Sequence, residues 1–242
     1  MQLESLERAA FSAWPAYEQQ ELNGVVLRFS EGYTKRANSA NVLDLNNWQY
    51  PELAAQTEDF FKERQQPSIF RIPSFVAAQE FDQYLAERGY QYLDKSLVMQ
   101  RQLQRQDIEL KAIVQKTASE WLASFVALSN AELGRQQAHL AILERVKDKI
   151  NYAVLIEEGE EVACGIAVVH NHSLGIFDLV TSAHHRRKGY AKQLLDSLHQ
   201  WGVSAGANNS YLQVVANNDP AIALYEKLGY AESYHYWYRI KG

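Results

Sequence analysis

The chain has 242 residues, of which 47% are hydrophobic and 22% charged, and a formal net charge of −5 at pH 7. That length and balance suit a folded protein of one large domain or two smaller ones, and exclude a disordered chain. The acidic total argues against broad nucleic-acid binding, whose affinity rests on Lys and Arg neutralising phosphates, so any basic site must be local.

In chain order, residues 4–13 read as a short helix and VVLRF at 25–29 as a strand. Residues 52–66 read as a helix with Leu53, Ala54, Thr57, Phe60 and Phe61 at helical spacing, ended by Pro67. SIFRI at 68–72 predicts a strand, 75–89 a helix closed by Gly89, and 91–103 a strand. The polar run QRQLQRQD at 100–107 is the candidate boundary between two halves, residues 1–104 and 105–242.

Beyond it, 117–130 and 132–148 carry helical spacing, with Gly134 near the start of the second. Strands at 150–158, 161–171 and 173–181 are joined by short polar turns and predict an antiparallel meander. Cys164, the single cysteine, lies in the apolar run of the second of these and reads as a buried core thiol. That run, VACGIAVV at 162–169, is the longest uncharged apolar segment and falls far short of the ~20 residues of a membrane span. The N-terminal MQLESLERAAF lacks the order of a signal peptide, so a cytoplasmic protein with no membrane partner is expected.

A helix then begins near 190, with Ala191, Leu194, Leu195, Leu198 and Trp201 on one face. A strand at 209–217, a helix at 220–229 with Pro220 in its first turn and Gly229 at its end, and a strand at 230–240 complete the order. The strand at 173–181, the helix and the strand at 209–217 form a parallel crossover, and ligands in such α/β sheets sit where neighbouring strands diverge at their carboxyl ends. That places 181–191 beside 215–221.

The segment FDLVTSAHHRRKGYAKQLLDSLHQW at 177–201 concentrates positive charge at a helix start in an acidic chain. It suits a phosphate cradle, a nucleic-acid contact or a solvated helix end. Cations there oppose the helix dipole by about 0.3–1 kcal/mol each, whereas unpartnered N–H groups and a glycine are what a bound phosphate requires.

Arg186, Arg187, Lys188, Gly189, Tyr190 and Ala191 match the Arg/Gln-x-x-Gly-x-Gly/Ala signature of the GCN5-related N-acetyltransferase (GNAT) family, and LQVVANNDPAIALYEKLGY at 212–230 resembles its following motif. The resemblance covers about residues 107–240. It implies an α/β mixed sheet of the acyl-CoA N-acyltransferase fold, as two tandem related halves, and acetyl-CoA as cosubstrate with no metal. It implies that Leu179, Val180 and Thr181 meet the acetyl and pantetheine part through backbone groups. In the same way Arg186 opens the signature, the N–H groups from Arg187 to Ala191 bind the pyrophosphate, and Asn218, followed by Ala221, bonds the pantetheine arm. Tyr225 would stand near the thioester sulfur as general acid, since a phenol of pKa near 10 is protonated at neutral pH.

For the base, Asp178 is a candidate on the central strand, beside His170, His172, His184 and His185; loss of the proton through water is the alternative. The first half reads as a degenerate copy of the same fold without a basic cradle. Its polar stretch RFSEGYTKRANSAN at 28–41 is either a turn satisfied by its own side chains, the reading slightly preferred, or a wall of the acceptor pocket. The expected activity is acetyl transfer to a primary amine of a small molecule, peptide or protein, by a monomer or homodimer without nucleic acid. The competing reading is a non-catalytic acyl-CoA sensor.

Overall fold

The computed structural model describes residues 3–105, 110–129 and 136–242. Helix α1 (Leu3–Ala13) buries Leu6, Ala9, Ala10 and Ala13, which step by three and four along one face. Strands β1 (Glu18–Leu22) and β2 (Val25–Phe29) form a hairpin through Asn23-Gly24, both left-handed at φ 39° and 86°, as a tight two-residue turn requires. Then follow β3 (Ser39–Val42), α2 (Tyr50–Glu63), β4 (Ser68–Pro73), α3 (Gln79–Glu87) and β5 (Gln91–Gln102). The second half comprises β6 (Ile113–Gln115), α4 (Ala118–Ser129), α5 (Gln136–Leu143), β7 (Lys149–Glu157), β8 (Glu160–His170), β9 (Ser173–Thr181), α6 (Tyr190–Ser204), β10 (Asn209–Val215), α7 (Asp219–Lys227) and β11 (Ala231–Lys241).

The sequence elements are found with shifted ends, each for a local reason. Helix α2 stops at Glu63, because Gln65 turns left-handed at φ 53° before Pro67 is reached. Residues 75–78 are not helical: Ser74 N donates to His235 O at 2.7 Å, and Phe75 packs edge-on against Tyr234. Thr117 and Glu120 form a reciprocal cap that starts α4, with Thr117 N to Glu120 Oε2 at 2.9 Å. Of the expected helix at 132–148, α5 occupies 136–143, while Gly134 lies outside the described residues.

All the strands join one eleven-stranded sheet in the order β1-β2-β3-β4-β11-β5-β10-β9-β8-β7-β6. The meander β7-β8-β9 is antiparallel and β9 pairs parallel with β10. The run β1-β2-β3-α2-β4-α3-β5 is repeated as β7-β8-β9-α6-β10-α7-β11, and β3 likewise pairs parallel with β4. Each run lends its last strand to the other: β5 lies against β10, β11 lies against β4, and the two lent strands pair antiparallel. The same latch recurs in both runs. Tyr90, just before β5, bonds Ser68 of β4 at 2.9 Å, and Tyr230, just before β11, bonds Ser210 of β10 at 2.7 Å, all four residues being buried.

Side chains alternate across the sheet, so the central strands feed two cores. On one face, Val154, Cys164 and Ile166 pack with Leu6 and Trp14 from the α1 end of the chain and Trp121 from α4. On the other, Ala153, Leu155 and Ala163 pack with Leu194, Leu195 and Leu198 of α6. A third cluster joins β2–β4 to α2 and α3 through Leu27, Phe61, Phe70 and Phe81. Cys164 is buried as a core thiol, and its pKa is raised by burial and by Asp178. Among the described residues no helix is long and apolar enough to cross a membrane.

Candidate active site

Strands β9 and β10 run in register from Ser173 and Asn209 to Ile176 and Leu212, and then part. The cause is a bulge in β9. Between the pairs Cys164–Val180 and Ile166–Phe177, Gly165 alone faces Asp178 and Leu179, and Asp178 takes φ 47°. A non-glycine residue in that region is strained, and such strain persists only where the surroundings hold it.

A cleft of about 570 Å³ opens at the parting. Asp178 and Leu179 line it from β9, Gln213 and Val215 from β10, and Asn218 and Tyr225 from the start and body of α7. Its other walls come from the first half and from β11: Gly32, Tyr33, Thr34, Lys35, Arg36, Asp94, Ser96, Tyr236 and Tyr238.

Asp178 stands at ion-pair distance, without hydrogen-bond alignment, from a residue that the sequence reading did not single out. His139, on α5, places Nε2 2.9 Å from Asp178 Oδ2, and its ring is enclosed by Trp14, Tyr33, Trp121 and Phe125 at centroid distances of 5.0–6.0 Å. Only the helical register of AHLAIL at 138–143 hinted that this imidazole points inward. The other histidines are elsewhere. His170 pairs with Asp148 at 3.0 Å and His172 bonds Gly206 O at 2.9 Å, both at the far end of nine-residue β9. Asp178 lies five residues along β9 from that end, roughly 17 Å at about 3.3 Å per residue. His184 and His185 lie beyond the cleft, on the 3-10 turn that leads to α6.

Tyr225 is partly buried, and burial pushes its phenol pKa up to about 12. Asn218 caps α7, its Oδ1 accepting from Ala221 N at 3.4 Å while the residue itself lines the cleft. Val180, Thr181 and Ala221 are partly exposed beside it but do not line it.

Past Thr181 the chain makes a 3-10 turn and enters α6 through Arg187 at φ 63° and Gly189 at φ 86°. The N–H groups of Arg187, Lys188, Gly189, Tyr190 and Ala191 have no acceptor among the described residues. A Cβ on Gly189 would project into open space, with only Gln193 Nε2 at 4.0 Å. Arg186, Arg187 and Lys188 are exposed, and none pairs with an acid among the described residues. Free donors, room for a close approach and unspent charge together fit a diphosphate. The matching start of α2, after DLNNWQ at 44–49, has neither glycine nor cation.

The two readings offered for 28–41 divide between its residues. Asn38 satisfies the loop internally, its Oδ1 accepting from Ser30 N at 2.7 Å and Gly32 N at 2.9 Å and its Nδ2 donating to Thr34 O at 2.8 Å. Residues 32–36 of the same loop form a wall of the cleft.

A bulged central strand parting from its parallel neighbour, with a basic helix start beyond the fork, defines a GNAT-type acyltransferase fold. Solved structures share it. A GCN5-related N-acetyltransferase from Kribbella flavida superposes with a TM-score of 0.72 at 13% identity, covering 98% of this chain and 94% of the other. A tandem GNAT protein from the clavulanic acid biosynthesis pathway gives a TM-score of 0.60 at 10% identity, covering 98% and 87%. In sequence, the uncharacterized N-acetyltransferase YobR of Bacillus subtilis is 27% identical over 246 residues, 99% of this chain and 98% of that protein. The chain belongs to the family described as "Probable histone acetyltransferase Rv0428c C-terminal", which matches residues 1–239, and is thus a member of the GCN5-related N-acetyltransferases.

Proposed function

We propose that the protein transfers an acetyl group from acetyl-CoA to a primary amine of a small molecule or protein, by direct attack in a ternary complex. The observation that carries this reading is the free-donor helix start at 187–191, adjoining a cleft that gathers Asp178, Asn218 and Tyr225. Bound there, the coenzyme would supply an acetyl group activated as a thioester.

The chain's own residues would do the rest. Arg186, Arg187 and Lys188 would add charge to the N–H groups of 187–191 around the pyrophosphate. Leu179, Val180 and Thr181, freed from β10 by the bulge, would offer backbone groups to the acyl arm, as would the Asn218 amide, with small Ala221 leaving room. Asp178 would hold the incoming amine, which attacks in its neutral form after an ammonium proton has been lost to water. As the C–N bond forms, a remaining N–H proton becomes far more acidic, so the carboxylate can accept it. Tyr225, protonated throughout the neutral range because burial raises its pKa, would give its proton to the departing sulfur. Holding amine and acyl group together would supply much of the rate. On this reading residues 105–242 carry the chemistry, and residues 1–104 are a degenerate copy that walls the acceptor end.

The test is an amine panel with acetyl-CoA, following free thiol release, beside calorimetry of CoA binding. Binding with turnover supports the proposal. Binding without turnover on any amine favours the sensor, and absence of binding refutes both.

A further inference from the structure

The cleft has a cationic floor as well as a carboxylate. Arg36, on the 3-10 turn Lys35–Ala37, lies with its guanidinium 4.8 Å from the Trp14 ring centroid and 5.8 Å from that of Phe177. Among the described residues its side chain meets no carboxylate and no hydrogen-bond acceptor, although it lines the cleft. Its neighbour Lys35 is paired with Asp94 at 2.7 Å, and Arg8, Arg64 and Arg239 are each paired with an acid.

A second observation lies beneath it. A small cavity of about 10 Å³ is lined by Arg28, Arg36, Arg71, Asn41, Gln213 and Glu7, among others. Arg28 is 1% and Arg71 2% exposed. Arg71 pairs with Glu7 through one Nη, but among the described residues Arg71 Nε and Nη2 and Arg28 Nε have no hydrogen-bond partner. Arg28 donates only to carbonyls, those of Arg36 (2.8 Å), Phe11 and Trp14. Burial, with the charges of Arg71 and Arg36, pulls its pKa down to about 9. Among the described residues Glu7 is the single acid lining this cavity, and it is already bonded to Arg71 and to Tyr234 Oη at 2.5 Å. Three guanidinium groups set against one carboxylate leave net positive charge in a low-dielectric setting, which favours an anion.

We propose that the acceptor carries a carboxylate as well as an amine, and that Arg36 binds that carboxylate while Asp178 faces the amine. The inference rests on the acetyltransferase reading above and names its substrate class: an amino acid or a similar small amino-carboxylate. A guanidinium packed against rings presents its edge, and that fork matches the two coplanar oxygens of a carboxylate. A lysine side chain within a polypeptide would bring no carboxylate to Arg36.

The test compares ω-amino acids, from β-alanine to 6-aminohexanoate, with their carboxamides in acetyl-CoA turnover. Direct calorimetric binding of the same compounds is measured with and without CoA. At the best-fitting length the acid is expected to exceed its amide by about ten- to a hundredfold in both kcat/KM and affinity. Arg36→Gln should remove that preference by weakening the acid alone, and Arg36→Lys should restore part of it. CoA affinity in both variants should equal that of the native chain, which also reports that they fold. Equal use and binding of acid and amide would overturn the proposal, as would an Arg36→Gln variant that weakens both alike. Carboxylate binding lost in Arg36→Gln, in a protein that fails to bind acetyl-CoA, would sustain the anion site and refute the acetyltransferase reading instead.

Discussion

His139 Nε2 stands 2.9 Å from Asp178 Oδ2 and ties α5 to the bulge of β9. The imidazole is 2% exposed and the carboxylate 17%, so one ring nitrogen meets the acid from the protein side while the acid reaches the cleft. On the proposed mechanism His139 would act through Asp178, as a positioning residue. Replacing it by Phe keeps the aromatic packing and removes the contact. The expected result is a fall of about tenfold or more in kcat and an altered pH–rate profile, with acetyl-CoA affinity unchanged. A purely structural residue would change thermal stability and leave the profile's shape intact.

Tyr225→Phe removes one oxygen from a partly buried ring that packs edge-on against Tyr230. Loss of a proton donor costs about 10²–10⁴ in rate where the proton transfer is part of the slow step. Turnover should fall by at least tenfold while the dissociation constant of CoA moves less than twofold. A drop in affinity that matched the drop in rate would assign the hydroxyl to binding instead.

Gly189 has φ 86° and free space where a Cβ would project, whereas Gly206 has φ 103° with nothing within 4 Å and lies at the other end of α6. Side chains at either position should cost roughly 1 kcal/mol of backbone strain. Only Gly189→Val should weaken acetyl-CoA, by tenfold or more in calorimetry; Gly206→Val serves as the control for strain alone.

His199 is buried with Nε2 2.7 Å from Tyr230 Oη, and burial, with the charge of Arg101, holds its pKa down to about 3. The folded protein keeps this imidazole neutral while the unfolded chain binds a proton below about 6.5. Stability is therefore fully present above pH 6.5 and is lost as pH falls from 6.5 toward 3, by up to about 1.4 kcal/mol per pH unit. Urea midpoints measured across that window should fall, and His199→Gln should flatten the slope.

Much of the second half was legible because its signals are local. Two-residue turns at Glu158-Gly159 and Asn171-His172 are left-handed and fix the meander, and the apolar steps of 191–201 fix α6. Asn23-Gly24 makes the same kind of turn in the structure, yet EQQEL in β1 is polar and largely exposed, so no apolar pattern marked the strand. β3 and β6 are too short to show a period. The exchange of β5 and β11 could not be read, since a strand's alternation does not say which neighbour it will pair with. The motif residues Asn218 and Tyr225 reach the cleft together. Arg36 lies in the polar stretch 28–41, for which a wall of the acceptor pocket was one of two readings, whereas His139 carries no motif; what sets each of them near Asp178 is packing between segments far apart in the chain, which no local pattern encodes.

The central claim is that 186–191 together with the cleft at the β9–β10 fork receives acetyl-CoA. Amide hydrogen exchange with and without acetyl-CoA tests it most directly, because the N–H groups of Arg187, Lys188, Gly189, Tyr190 and Ala191 have no acceptor of their own among the described residues. Added acetyl-CoA should slow exchange at those amides and at 178–181. Binding that leaves these amides unprotected while slowing others elsewhere would contradict the account.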